Sequence, residues 1–162
     1  MIETLTMLSK KWEEDHPPNS SDNGIEDSEE EEITNRNKTY VQQLESISKL
    51  LNDKHHEDNL VDLVKTLGND IAAVRSAPTA LFSFLKAQEP IEGFCEANAF
   101  QRTLELAMSF GGDTDTIMSM AGAIAGAYYG ESNIPKYLIN LCEGVEDAQK
   151  QAEEIVKITH HN

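Results

Sequence analysis

The chain has 162 residues, with 29 Asp and Glu against 13 Lys and Arg and a formal net charge of −16. That length suits one domain with a modest core, and a surface so acidic, without clustered Lys or Arg, argues against a nucleic-acid binder, which must neutralise phosphates. No apolar run reaches the ~18 residues of a membrane helix, no secretory-signal pattern opens the chain, and two cysteines, Cys95 and Cys142, suit reduced thiols of a soluble intracellular protein.

In chain order, Ile2, Leu5, Leu8 and Trp12 fall at helical spacing and predict a helix over residues 1–12. From Glu13 to Glu32 there are ten acidic residues, no Lys or Arg, and the pair Pro17-Pro18. Too little apolar surface is present to offset ordering entropy, and residues 13–38 read as a disordered acidic loop. Val41, Leu44, Ile47, Leu50 and Leu51 predict the next helix, and the polar run Asn52 to Asn59 its end. His55 and His56 lie in that run with no Cys nearby, so they read as solvent residues and not as metal ligands.

Leu60, Leu63, Val64 and Leu67 form a further stripe, stopped by Gly68-Asn69. A helix starting near Asp70 places Ile71, Val74, Ala77, Ala80, Leu81, Phe84 and Leu85 inward. Pro78 interrupts it, which predicts a break near Ser76 or a start there with Ser76 as cap. After the turn Pro90 to Gly93, Phe94, Ala97, Phe100, Leu104, Ala107 and Met108 predict a buried helix over Cys95 to Ser109. Gly111-Gly112 ends it, a small-residue helix runs from about Asp115 to Tyr129, and Gly130 closes that one. The tail from Ile134 to Thr159 predicts one or two more helices, with Pro135 at a start. Alternating strand patterns are absent from the sequence, so the fold class is all-α.

Chemistry concentrates in Phe110 to Gly130, FGGDTDTIMSMAGAIAGAYYG. Two glycines deliver Asp113, Thr114, Asp115 and Thr116 to the mouth of an apolar helix. Carboxylates at i and i+2 with adjacent hydroxyls are hard oxygen donors of the kind Mg²⁺ and Ca²⁺ prefer. The same residues also suit a helix N-cap, which favours Asp and Thr, and acids near a positive helix end. Gly122 and Gly126, among alanines, imply that a neighbour approaches this helix closely, because glycine costs nearly ~1 kcal/mol against alanine in a helix.

GGDTDTIMSMAGAIAGAYYG resembles the C-terminal metal motif of the ADP-ribosylhydrolase (ADP-ribosylglycohydrolase) family, and LGNDIAAVRSAPTALFSFLKA with AFQRTLELAMSFGGDTDT is most similar to its type 3 branch. The resemblance runs from about Tyr40 to Gly144, and the opening helix resembles an internal family helix. It implies a partial ADP-ribosylglycohydrolase-type helical bundle, with residues 39–162 as the C-terminal portion of the domain. It further implies Asp113, Asp115 and Thr116 as magnesium ligands, Asp115 bridging the two Mg²⁺ ions of the complete site. Ile71 matches a substrate-binding position at the adenosine end of the ADP-ribose pocket. A glycine commonly precedes that isoleucine in the family, and Asp70 stands here instead; an inward-pointing carboxylate there opposes an anionic ligand.

The family's catalytic glutamate, its Thr-Asp-Asp ligand set and its glycine-rich diphosphate loop have no counterpart in the sequence, so no catalytic residue is assigned. The chain reads as though it began at an internal methionine of a longer hydrolase that releases serine-linked ADP-ribose and degrades poly(ADP-ribose). The partners implied are ADP-ribose or ADP-ribosylated protein, with neither nucleic acid nor membrane, in the nucleus, cytoplasm or mitochondrion. A non-catalytic short form acting as an interaction or regulatory module is the alternative, and an unrelated acidic helical adaptor a third. For such a fragment an uncovered apolar core face predicts either self-association or a loosely packed helical state without a sharp thermal transition.

Overall fold

The computed structural model describes residues 2–15, 38–53, 59–96 and 98–159, in which the regular structure is helical and no strand occurs. Most of the predicted acidic loop, His55, His56 and Ala97 lie outside the described residues. The helices are α1 (Ile2–Asp15), α2 (Tyr40–Asn52), α3 (Leu60–Leu67), α4 (Ala73–Lys86), α5 (Ala99–Ser109), α6 (Thr114–Tyr129), α7 (Lys136–Leu141) and α8 (Val145–Thr159), with a 3₁₀ turn at Glu131–Asn133.

Local chemistry sets several of the helix starts. Thr39 and Gln42 form a reciprocal capping box at α2, and Asn59 and Asn98 accept from backbone amides at the starts of α3 and α5. Because Asn98 supplies that cap, α5 begins at Ala99 and not at Cys95. Residues 91–96 instead form a connection, tied to α5 where the Cys95 amide donates to the Glu105 carboxylate at 2.8 Å.

The middle of the fold is α4, packed by α2, α3, α5 and α6. Its course corrects both readings of Pro78, which is the sixth residue of an unbroken helix and is buried. Proline there forfeits a helical hydrogen bond at a cost of about 3 kcal/mol. Fully burying Phe82 and Phe84, 0% and 1% exposed, contributes about 1.5–3 kcal/mol each and outweighs it. The three buried hydroxyls of α4 all find carbonyls: Ser76 to Ala72, Thr79 to Gly68 at 2.6 Å and Ser83 to Thr79 at 2.8 Å.

Leu44, Ile47, Leu63, Leu67, Phe82, Leu106 and Phe110 make the main core cluster, and Ala80, Ala107, Ile117 and Ala121 a second one beneath the start of α6. Gly122 and Gly126 face α5, where added Cβ atoms would stand 3.3 Å from Leu104 and 3.9 Å from Phe100. The close approach that two helical glycines imply is thus made by α5 side chains.

Three stripes are less buried than their periodicity predicts. Only the Ile2 and Leu5 end of α1 packs on the core, leaving Leu8 and Trp12 exposed, and Met108 of α5 is exposed as well. Ile155, Val156 and Ile158 of α8 are exposed too. No helix among the described residues is long and apolar enough to cross a membrane.

Candidate metal centre and ligand loop

Two loops meet where α4 and α6 begin. The first, Gly68 to Ala72, leads into α4; the second, Phe110 to Asp113, leads into α6. Gly111 and Gly112 both adopt left-handed conformations, φ +66° and +64°, which an L side chain resists by roughly 1–2 kcal/mol per residue. The two successive turns bring the chain back onto Asn69. The Asp113 amide donates to the Asn69 carbonyl at 2.7 Å, and the Asn69 side-chain amide donates to the Phe110 carbonyl at 2.8 Å.

Helix α6 begins at Thr114, one residue earlier than the sequence suggests, so Asp113 occupies the N-cap position. Its carboxylate makes no capping bond; it accepts from the Thr116 hydroxyl at 3.0 Å. Asp115 is the second helical residue and is exposed, where the positive helix end favours an acid by about 0.3–1 kcal/mol. Capping therefore accounts for neither carboxylate. The donor set, two carboxylates and a hydroxyl on one helical turn, suits a hard divalent cation. Among the described residues no three His, Cys, Asp or Glu side chains stand together in a group that could hold a metal ion.

Ile71 lies in the first loop and is 85% exposed. This corrects its inward placement on the α4 stripe: α4 starts only at Ala73, and a single loop residue, Asp70, separates Ile71 from Asn69 and its bonds to the second loop. Asp70 is turned back on its own loop. Its carboxylate pairs with the Arg75 guanidinium and accepts from the Ala72 amide at 2.9 Å. The second bond serves the start of a helix whose N-cap, Ala72, has no side chain to do so. The added negative charge is balanced by Arg75 in the first turn of α4.

Asn69 is the residue sequence reasoning missed, since Gly68-Asn69 read only as a stop signal. A pointer was present in the paired glycines, which announce a close neighbour without saying which one. A groove of about 1080 Å³ between α5 and α6 on one side and α7 and α8 on the other is lined by Phe100, Leu104, Met118, Leu138 and Val156. It includes none of Asp113, Asp115, Thr116 and Ile71.

The Asn69 contact makes a sharp stability test. A Cβ on Gly112 would stand 2.0 Å from the Asn69 carbonyl oxygen, whereas one on Gly111 meets nothing within 4 Å. Gly111→Ala is expected to lose about 1–2 kcal/mol, from backbone strain alone. Gly112→Ala should lose about 2–4 kcal/mol, because the loops must also part. Urea denaturation of both variants checks this, and equal losses would mean the loops are not in contact.

Fold and site together define an all-helical domain with an oxygen-donor centre at a helix mouth. The chain belongs to the ADP-ribosylglycohydrolase family, whose model matches residues 6–162. Among curated proteins it is similar to ADP-ribosylhydrolase ARH3 of Bos taurus, 40% identical over 130 residues, covering 78% of this chain and 34% of that protein. To ADP-ribosylhydrolase ARH3 of Homo sapiens it is 41% identical over 128 residues, covering 78% and 35%. With the Gallus gallus protein of the same name it shares 48% identity over 95 residues, covering 58% and 26%. The chain thus spans about a third of the length of the first two relatives.

Proposed function

We propose that this chain carries one part of a two-magnesium centre of an ADP-ribosylhydrolase acting on O-glycosidic ADP-ribose linkages, serine-ADP-ribose and poly(ADP-ribose), and that it does not turn over by itself. The observation that carries this reading is the joining of two loops, one presenting Asp113, Asp115 and Thr116 and the other Ile71. Relatives named as ADP-ribosylhydrolases over the same stretch support it.

Bound Mg²⁺ would supply Lewis-acid stabilisation of charge as the ribose anomeric carbon loses its bond to oxygen. Asp113, Asp115 and Thr116 would hold it. The Asp113 carboxylate accepts from the Thr116 hydroxyl, so those two groups stand 3.0 Å apart. Ile71 offers an exposed apolar surface on which the adenosine end of ADP-ribose would rest. Asp70 keeps its charge on Arg75, which would lessen its repulsion of an anionic ligand.

Proton handling is a different matter. Glycoside hydrolysis needs a carboxylate to protonate the leaving oxygen or activate water, and we assign that role to no residue of this chain. Purified 1–162 is therefore expected to release no ADP-ribose from a serine-ADP-ribosylated peptide in Mg²⁺. Mixing it with the part of the human relative outside the matched segment should restore release that chelation abolishes. Chelator-sensitive turnover by 1–162 alone would overturn the incomplete-centre reading, and a mixture that stays inactive would count against the assignment to this reaction.

A further inference from the structure

Asn69 bonds the metal loop twice, through its backbone carbonyl to the Asp113 amide and through its side chain to the Phe110 carbonyl. We infer that Asn69 is a positioning residue: through these two bonds it sets Asp113, Asp115 and Thr116 at a fixed offset from Ile71. The inference rests on the metal reading proposed above.

Three observations lead there. The Asn69 carbonyl holds the amide of a proposed ligand, Asp113, at 2.7 Å, so the ligand's own backbone is located by this contact. The approach is possible only because residue 112 lacks a Cβ, which would stand 2.0 Å from that carbonyl oxygen. And holding the fold together does not require these bonds. Leu67 and Phe110, 0% and 3% exposed, anchor the two loops in one core cluster; burying such side chains contributes about 1.5–3 kcal/mol each. A hydrogen bond at a partly exposed position contributes about 0.5–1.5 kcal/mol net. What the Asn69 bonds add is direction, and a cation site needs its donors held to within about 0.5 Å.

The test uses the 162-residue chain with Mn²⁺ as a paramagnetic substitute for Mg²⁺, its affinity read by electron paramagnetic resonance. Amide hydrogen exchange at Asp113 is followed in the absence of metal. Asn69→Ala removes the side-chain bond, while Asn69→Asp keeps size and backbone carbonyl but cannot donate to Phe110. Both are expected to weaken Mn²⁺ binding by about tenfold or more, the usual effect of removing a group that orients a ligand. Exchange at Asp113 should quicken while the amides of α4 and α5 keep their protection. Unchanged affinity and exchange in both variants would overturn the inference and leave the metal reading standing. Affinity lost only in step with protection throughout α4 and α5, in Asn69→Asp as well as Asn69→Ala, would overturn it in favour of a purely structural role. Absence of Mn²⁺ binding by the unaltered chain would overturn the metal reading, and this inference with it.

Discussion

Asp115→Asn is expected to remove divalent-cation binding from the chain while leaving its thermal stability nearly unchanged. Asn has the size and one carbonyl acceptor of Asp but no charge, so it preserves packing and any hydrogen bond an acceptor serves there. It loses what a hard cation requires. The structural cost is small because Asp115 is exposed at the second position of α6. Only its interaction with the positive helix end is forfeited, about 0.3–1 kcal/mol, a few degrees of melting temperature at most. In the mixture that restores turnover, the same change should lower the rate by about two to three orders of magnitude, the scale of losing a group that stabilises developing charge. Titration with Mn²⁺, a thermal melt without metal and the peptide assay decide the matter together. An Asp115→Asn chain that binds Mn²⁺ normally and restores full turnover would remove Asp115 from the centre.

Arg102→Met is expected to destabilise the fold by about 3–5 kcal/mol, a large share of the ~5–15 kcal/mol that stabilises a domain. Arg102 is 4% exposed. Its Nε donates to the Ala87 carbonyl at 2.9 Å, and its Nη1 to the carbonyls of Cys95 and Glu96 at 2.7 and 3.2 Å. One planar guanidinium thereby ties the end of α4 to the connection before α5. Methionine fills similar space with no donor, and each carbonyl it abandons without replacement costs about 1–3 kcal/mol. Arg102→Lys keeps the charge but not the fork, so a loss of about 1–3 kcal/mol, between wild type and Met, is expected. Urea midpoints of the three proteins check the order. A Met variant as stable as wild type would show that the fold does not depend on these bonds.

Part of this was legible in the sequence because it is local. Helical stripes depend on spacing along one chain, and α2 and α3 stand close to where Leu44 and Leu63 put them, while α6 begins one residue before the start read from its small-residue run. The donor set was legible for the same reason: Asp113, Asp115 and Thr116 lie within four residues, and one helical turn groups them whatever the remainder of the chain does. The family resemblance, carried by contiguous blocks, needed no structure either.

Tertiary packing decided the rest. Pro78 stays inside α4 because burial of Phe82 and Phe84 outweighs a lost hydrogen bond, a comparison that periodicity does not contain. Ile71 leaves its stripe because Asp70 turns onto Arg75 and the Ala72 amide, delaying the helix until Ala73. Outer stripes such as Leu8 and Trp12 carry helical spacing but stay largely exposed. Asn69 and Phe110, 41 residues apart, are joined by a hydrogen bond that neither local sequence announces. The sequence by itself determined that Asp113, Asp115 and Thr116 share one helix start and which segments would be helical. Only the three-dimensional chain decided which loop stands beside them, because hydrogen bonds across such separations depend on the core that brings the two loops together.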